Sequence, residues 1–237
     1  VGGLEKKNKM TTEEERHSIA LHEAGHATVS WFLQYANPLV KVTIVPRGKA
    51  LGAAWYLPEE RQITTTQALR DQMCATLAGR AAEEVFLGRI STGAANDLEH
   101  TTKTAYAMVA YYGMSDKLPN VNYYDMQGDG YGLTKPYSDR TAELIDEEAR
   151  EIVRVEYERA KELLREHAEG LKTLTQLLLD REVIYTEDVE HIFGKRPWVS
   201  RTDEMILERE EKNQEKEQVQ EEESTTPTTD TEATSNE

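Results

Sequence analysis

Residues 21–30, LHEAGHATVS, set His22 and His26 four apart with Glu23 directly after the first. On an α-helix, side chains four apart stand one turn above one another, so the two imidazoles share a face at a separation that one metal ion can bridge. Glu23 projects about 100° further round the helix, where its carboxylate reaches a metal-bound water without becoming a ligand. Two neutral nitrogens hold a Lewis acid and the carboxylate beside them removes a proton from polarised water, a division of labour suited to hydrolysis. Gly25 costs about 1 kcal/mol relative to alanine in a helix interior, which predicts close approach of another chain segment near the metal.

The surrounding residues fit that helix. TTEEERHSIALHEAGHATVSWFLQYA opens on threonine followed by acidic residues, carries Ile19, Leu21, Ala24, Val29, Phe32 and Leu33, and ends near Asn37-Pro38. LVKVTIVP and LGAAWYLP are short β-rich runs closed by prolines, which predict a small hairpin or two edge strands. Helical pattern then returns. TTQALRDQMCATLAGRAAEEVFLG has a threonine cap and a closing Gly88, and NDLEHTTKTAYAMVAYYG runs from Asn96 to Gly113. A loop rich in Gly, Asn, Asp and Pro follows. Its GDGYG follows no strand and lacks the spacing and the lysine of a phosphate loop, so no nucleotide site is visible. A long amphipathic helix from Ser138 to about Glu169, then LKTLTQLLLDRE and a short capped TEDVEHIFG, make the second half a helical bundle. The expected class is mainly α, a bundle with a small β element and a metal-binding HExxH helix.

Composition narrows the partners. The 237 residues carry a net charge of −16, which argues against nucleic acid because neutralising phosphates needs clustered Lys and Arg. Residues 201–237 hold 13 acidic and 4 basic side chains, have almost no apolar periodicity and read as a disordered acidic tail. The single cysteine, Cys74, excludes an internal disulfide and reads as a small buried thiol. No run approaches the roughly 20 apolar residues needed to cross a bilayer, so the chain reads as a soluble piece.

A catalytic zinc site takes three protein ligands and leaves the fourth position to water. The third ligand is not the histidine of a metzincin extension, because position 32 is phenylalanine. Glu83 and Glu84 of GRAAEEVF, Asp97 of STGAANDLEH, and His100 remain, and spacing alone does not separate them. Glu84 repeats a plan in which a second helix supplies a carboxylate; Asp97 sits at a helix N-terminus, where a short carboxylate is held firmly.

The chain resembles the proteolytic domain of the FtsH family, membrane-anchored, ATP-dependent zinc metalloproteases of bacteria, mitochondria and chloroplasts. The matching segments are HEAGHA at 22–27, KVTIVPRGKALG at 41–52, GRAAEEVFLG at 79–88, STGAANDLEHTTKTAYAMV at 91–109, GMS at 113–115 and AELIDEEAREIV at 142–153. The resemblance implies a zinc site of His22, His26 and Asp97 with Glu23 as the catalytic base. It leaves Glu84 to orient a ligand or brace two helices. It also implies six subunits, identical or related, ringed beneath an AAA+ ATPase module that unfolds protein substrates, anchored in a membrane with the protease domain on the cytoplasmic, matrix or stromal side. ATP would enter only through that module. VGGLEKKNKM resembles the junction following it, so the expected organisation is a linker at 1–10, a zinc metalloprotease domain at 11–200 and the tail at 201–237. Two further readings come from the residues. Leu51, Gly52, Ala53 and Ala54 open a short β-prone run that offers an edge to an extended substrate backbone. The rival from another class is a non-catalytic assembly module in which zinc braces the helices.

Overall fold

The computed structural model describes residues 12–46, 51–58, 63–123, 137–199 and 209. The expected linker, the GDGYG loop and all of the tail except Arg209 lie outside the described residues. The described residues up to Trp198 form one contact-dense unit. Among the described residues six α-helices and one three-stranded sheet build this unit, as the mainly-α reading predicts.

Helix α1, Glu13–Phe32, starts where its cap chemistry dictates. Thr12 Oγ1 accepts the Glu15 N–H at 3.1 Å, and the Glu15 carboxylate accepts the Thr12 N–H at 2.8 Å. Glu13, Glu14 and Glu15 place negative charge at the positive end of the helix dipole. From Ala20 onward nearly every residue is buried, so α1 is the central helix rather than a one-sided surface helix. Its last carbonyls find partners in the segment after helix α6, Thr186–Phe193: Trp198 Nε1 donates to Phe32 O at 3.0 Å and Arg196 to Leu33 O at 3.0 Å.

Helix α2, Thr66–Ala82, starts on the Thr65 cap and packs between α1 and helix α4, Asp139–Glu166. It continues through a π-helical turn, Glu83–Leu87, to Gly88. A 3-10 turn at Thr92–Ala94 leads into helix α3, Ala95–Tyr106, which also ends in a π-helical turn, Ala107–Tyr111. Two apolar clusters result. One joins α1, α2, the sheet and helix α5, Ala168–Arg181, around Val29, Val42, Leu171 and Leu178; the other joins α2, α3 and α4 around Met73, Met108, Ile145 and Ile152. Cys74 is buried, as its apolar context predicts.

Strands β1, Leu39–Thr43, and β2, Ala53–Tyr56, pair antiparallel with an irregularity between Leu39 and Lys41. A third strand, β3 at Val183–Tyr185, pairs with the other side of β1 and is followed by helix α6, Thr186–Phe193. The order β2-β1-β3 makes β1 central, not an edge, and among the described residues leaves β2 unpaired on one side. The bundle also departs from the expected helix limits. The long helix ends at Glu166, three residues early, because His167 takes φ −106° and ψ 27° and stacks on the Phe32 ring at 3.5 Å, so that α5 starts at once in a new direction. Among the described residues no helix is long and apolar enough to cross a membrane.

Candidate metal centre

Three elements converge on one point: the middle of α1, the C-terminal half of α2 and the first turn of α3. Helices α1 and α2 approach closely because each presents small residues to the other. A Cβ on Gly25 would lie 2.8 Å from Ala78 O and 2.8 Å from Ala82 Cβ, so the close approach expected at Gly25 is that of α2. Reciprocally, a Cβ on Gly79 would lie 2.4 Å from His22 Nε2, and the missing side chain makes room for the ring.

The second nitrogen of each histidine is already engaged. His22 Nδ1 lies 2.7 Å from Glu83 Oε1, and His26 Nδ1 lies 2.9 Å from the Ala75 carbonyl. Both partners are acceptors, so each Nδ1 carries the proton and each Nε2 is left with a free lone pair. Those lone pairs meet: Nε2 to Nε2 is 3.1 Å, and Asp97 Oδ2 stands 3.3 Å from His22 Nε2 and 3.5 Å from His26 Nε2. Three acceptors facing each other at such distances need a positive charge among them. The same demand appears in the titration of His22, which burial pulls down but the Asp97 and Glu83 carboxylates raise to about 9. Those two histidines hold the Asp97 carboxyl well below the usual range, against the opposing effect of burial.

A tetrahedral zinc ion with bonds of about 2.0–2.2 Å has ligand-to-ligand edges of about 3.3–3.6 Å. The three measured separations fall close to that range, so the donor set fits zinc in number, chemistry and spacing. Among the described residues His22, His26 and Asp97 are the one group of this kind. They lie in an open cleft also lined by Glu23, Ser30, Tyr56, Gln72 and His100.

Glu23 is buried, and burial raises its carboxyl above the ordinary value, with His26 and His22 opposing. Strand β2 lies directly over it. A Cβ on Gly52 would sit 2.7 Å from Glu23 Oε1, and the Ala54 backbone hydrogen-bonds its carboxylate. Leu51, Gly52, Ala53 and Ala54 all line the cleft. The Leu57 N–H bonds to Pro38 O at 2.8 Å, so by strand alternation Ala53 and Trp55 face β1 while Ala54 and Tyr56 turn their polar groups to the free edge.

Glu84 points elsewhere. Its carboxylate accepts from Lys161 Nζ at 2.7 Å and Tyr157 Oη at 2.5 Å on α4, while its neighbour Glu83 bonds to His22. The sequence holds a signal for this difference that the motif reading passes over. Ala75, Gly79 and Glu83 succeed one another at intervals of four along α2 and into its π-helical turn, on the face that also carries the carbonyl bonded to His26 and the gap that admits His22. Glu84 lies about 100° further round. His100 lines the cleft, exposed, but does not belong to the three-residue cluster.

Residues 9–192 match the model of peptidase family M41. This chain belongs to peptidase family M41. The match contains His22, Glu23, His26, Glu83 and Asp97. Over 212 residues, 90% of this chain, it is 71% identical to the ATP-dependent zinc metalloprotease FtsH of Parabacteroides distasonis, and covers 31% of that protein. It is 50% identical over 199 residues, 84% of the chain and 24% of the relative, to the mitochondrial ATP-dependent zinc metalloprotease FTSH 8 of Oryza sativa. With the mitochondrial inner membrane m-AAA protease component AFG3L1 of Mus musculus it shares 46% identity over 203 residues, 85% of the chain and 26% of the relative. This M41 chain therefore spans about a third or less of the length of these relatives.

Proposed function

We propose that this chain is a zinc endopeptidase domain that cleaves unfolded polypeptides, with zinc held by His22, His26 and Asp97 and Glu23 serving as the base. The observation that carries the reading is the meeting of three ligand atoms at 3.1–3.5 Å, beside a buried carboxyl, on the wall of an open cleft. When bound there, zinc polarises water and the substrate carbonyl. Glu23 takes the proton from the attacking water and returns it to the departing amine nitrogen. Burial raises its proton affinity above that of an ordinary carboxylate, which favours uptake of the proton from water. Glu83 and the Ala75 carbonyl keep the two imidazoles in the metal-binding tautomer and orientation.

The names of the relatives, ATP-dependent zinc metalloproteases and a mitochondrial inner membrane m-AAA protease component, support a larger setting in which this domain works with an ATP-driven module at a membrane; the family resemblance extends the proposal to a ring of six identical or related subunits, with the protease domain on the cytoplasmic, matrix or stromal side. The non-catalytic alternative, zinc as a brace, fits less well: structural zinc sites close all four positions, and this cluster supplies three ligands facing a cleft. Chelation separates the two readings. Hydrolysis of an unstructured peptide should stop when zinc is stripped and return on adding one equivalent. Activity indifferent to chelation, or none in the fully zinc-loaded protein, would refute the proposal.

Substrate is proposed to lie along the free side of β2, pairing with the outward polar groups of Ala54 and Tyr56 while Leu51, Gly52 and Ala53 shape the cleft wall. Ala54 already serves Glu23, and a proline at Ala53 would remove a bond to β1, so substitution is a poor probe. Amide hydrogen exchange in Glu23→Gln protein is the cleaner one. Added peptide should protect the Tyr56 amide at least tenfold and leave the Ala53 amide unchanged; equal exchange of Tyr56 with and without peptide would count against edge pairing.

A further inference from the structure

We infer that Ser91 is a positioning residue that couples the seating of His22 to that of Asp97, an inference that rests on the metal-site reading above. Glu83 is 3% exposed, and its carboxylate receives three hydrogen bonds. One comes from His22 Nδ1 at 2.7 Å; the other two come from Ser91, its backbone N–H to Oε2 at 2.7 Å and its hydroxyl to Oε1 at 3.0 Å. Ser91 thus meets both carboxylate oxygens, its N–H on Oε2 and its hydroxyl on Oε1, the oxygen that also takes the His22 bond.

The same hydroxyl oxygen accepts the Gly93 N–H at 3.1 Å and so caps the 3-10 turn Thr92–Ala94. That turn delivers the chain into α3, whose first turn carries Asp97. A hydroxyl donates once and accepts through its lone pairs, and here both capacities are used, one toward each arm of the cradle. The connections close a ring: His22 to Glu83, Glu83 to Ser91, Ser91 through the capped turn to Asp97, and Asp97 Oδ2 back to His22 Nε2 at 3.3 Å. Loss of the hydroxyl leaves Glu83 with the His22 bond and the Ser91 backbone N–H only, removes the second bond on Oε1 and uncaps the turn, loosening two ligands in one step.

The test is zinc affinity of the full chain, measured by chelator competition, which needs no peptide hydrolysis. Outer-shell partners of metal ligands are worth about 10- to 100-fold in affinity, and an exposed loop serine belongs at the lower end. Ser91→Ala should bind zinc about tenfold more weakly, and Ser91→Thr, which keeps the hydroxyl, should stay within about twofold of wild type. Because one of its two arms runs through Glu83, the alanine penalty should shrink in a Glu83→Gln background to the part carried by the uncapped turn, so that the two substitutions together cost less than the product of each alone, the non-additivity expected of partners in one network. Unchanged affinity in Ser91→Ala, or the same tenfold penalty with and without Glu83, would overturn the coupling while leaving the zinc site intact. A wild-type chain that binds no zinc would overturn the metal-site reading itself.

Discussion

Glu23→Gln should keep its zinc while peptide hydrolysis falls about 10³-fold, the middle of the range for losing a general base. Glutamine preserves the length and shape of the side chain, and its amide oxygen still accepts a hydrogen bond from the Ala54 backbone under strand β2. Gly52 leaves space for the group but none to spare, so the substituted amide occupies the same position. Only the capacity to take up a proton is lost. The imidazoles and Asp97 do not depend on Glu23 for their hydrogen bonds, so metal content is the internal control. A Glu23→Gln chain that hydrolyses peptide at the wild-type rate would remove Glu23 from the mechanism.

Gly79→Ala should weaken zinc binding by two orders of magnitude or more without unfolding the chain. The added methyl would stand 2.4 Å from His22 Nε2 and 2.6 Å from Cδ2 and Cε1, separations real carbon atoms do not adopt. The ring is held at Nδ1 by Glu83 and is nearly buried, so it moves only by giving up that bond or its place in the cradle. For α2 itself the change is favourable, since alanine is about 1 kcal/mol better than glycine in a helix interior. Metal affinity and helix stability should therefore move in opposite directions. Zinc affinity within a few-fold of wild type in Gly79→Ala would show that His22 does not need the space the missing side chain provides.

Local signals carried the reading furthest where one element decides the outcome. The i, i+4 histidines and Glu23 need only a helix, and Thr12, Thr65 and Ser138 mark helix starts by cap chemistry that acts within three residues. Asp97 came from the resemblance, since nothing within α3 says which side of that helix meets α1. Glu83 and Glu84 are neighbours of one chemistry, and only the packing of α2 against α1 on one side and α4 on the other tells them apart. Strand β3 is three residues long, too short for alternation to register, and exists because β1 offers it an unpaired side. The break at His167 likewise depends on Phe32, 135 positions earlier in the chain, against which the ring stacks.

The central claim is that His22, His26 and Asp97 hold one zinc ion, and metal content per chain tests it most directly. Atomic emission on purified protein should give one zinc in the wild type, close to none in Asp97→Ala, and one again in Glu84→Ala, whose carboxylate serves α4. Zinc kept without Asp97 and lost without Glu84 would mean that a different carboxylate completes the site, contradicting a centre built from His22, His26 and Asp97.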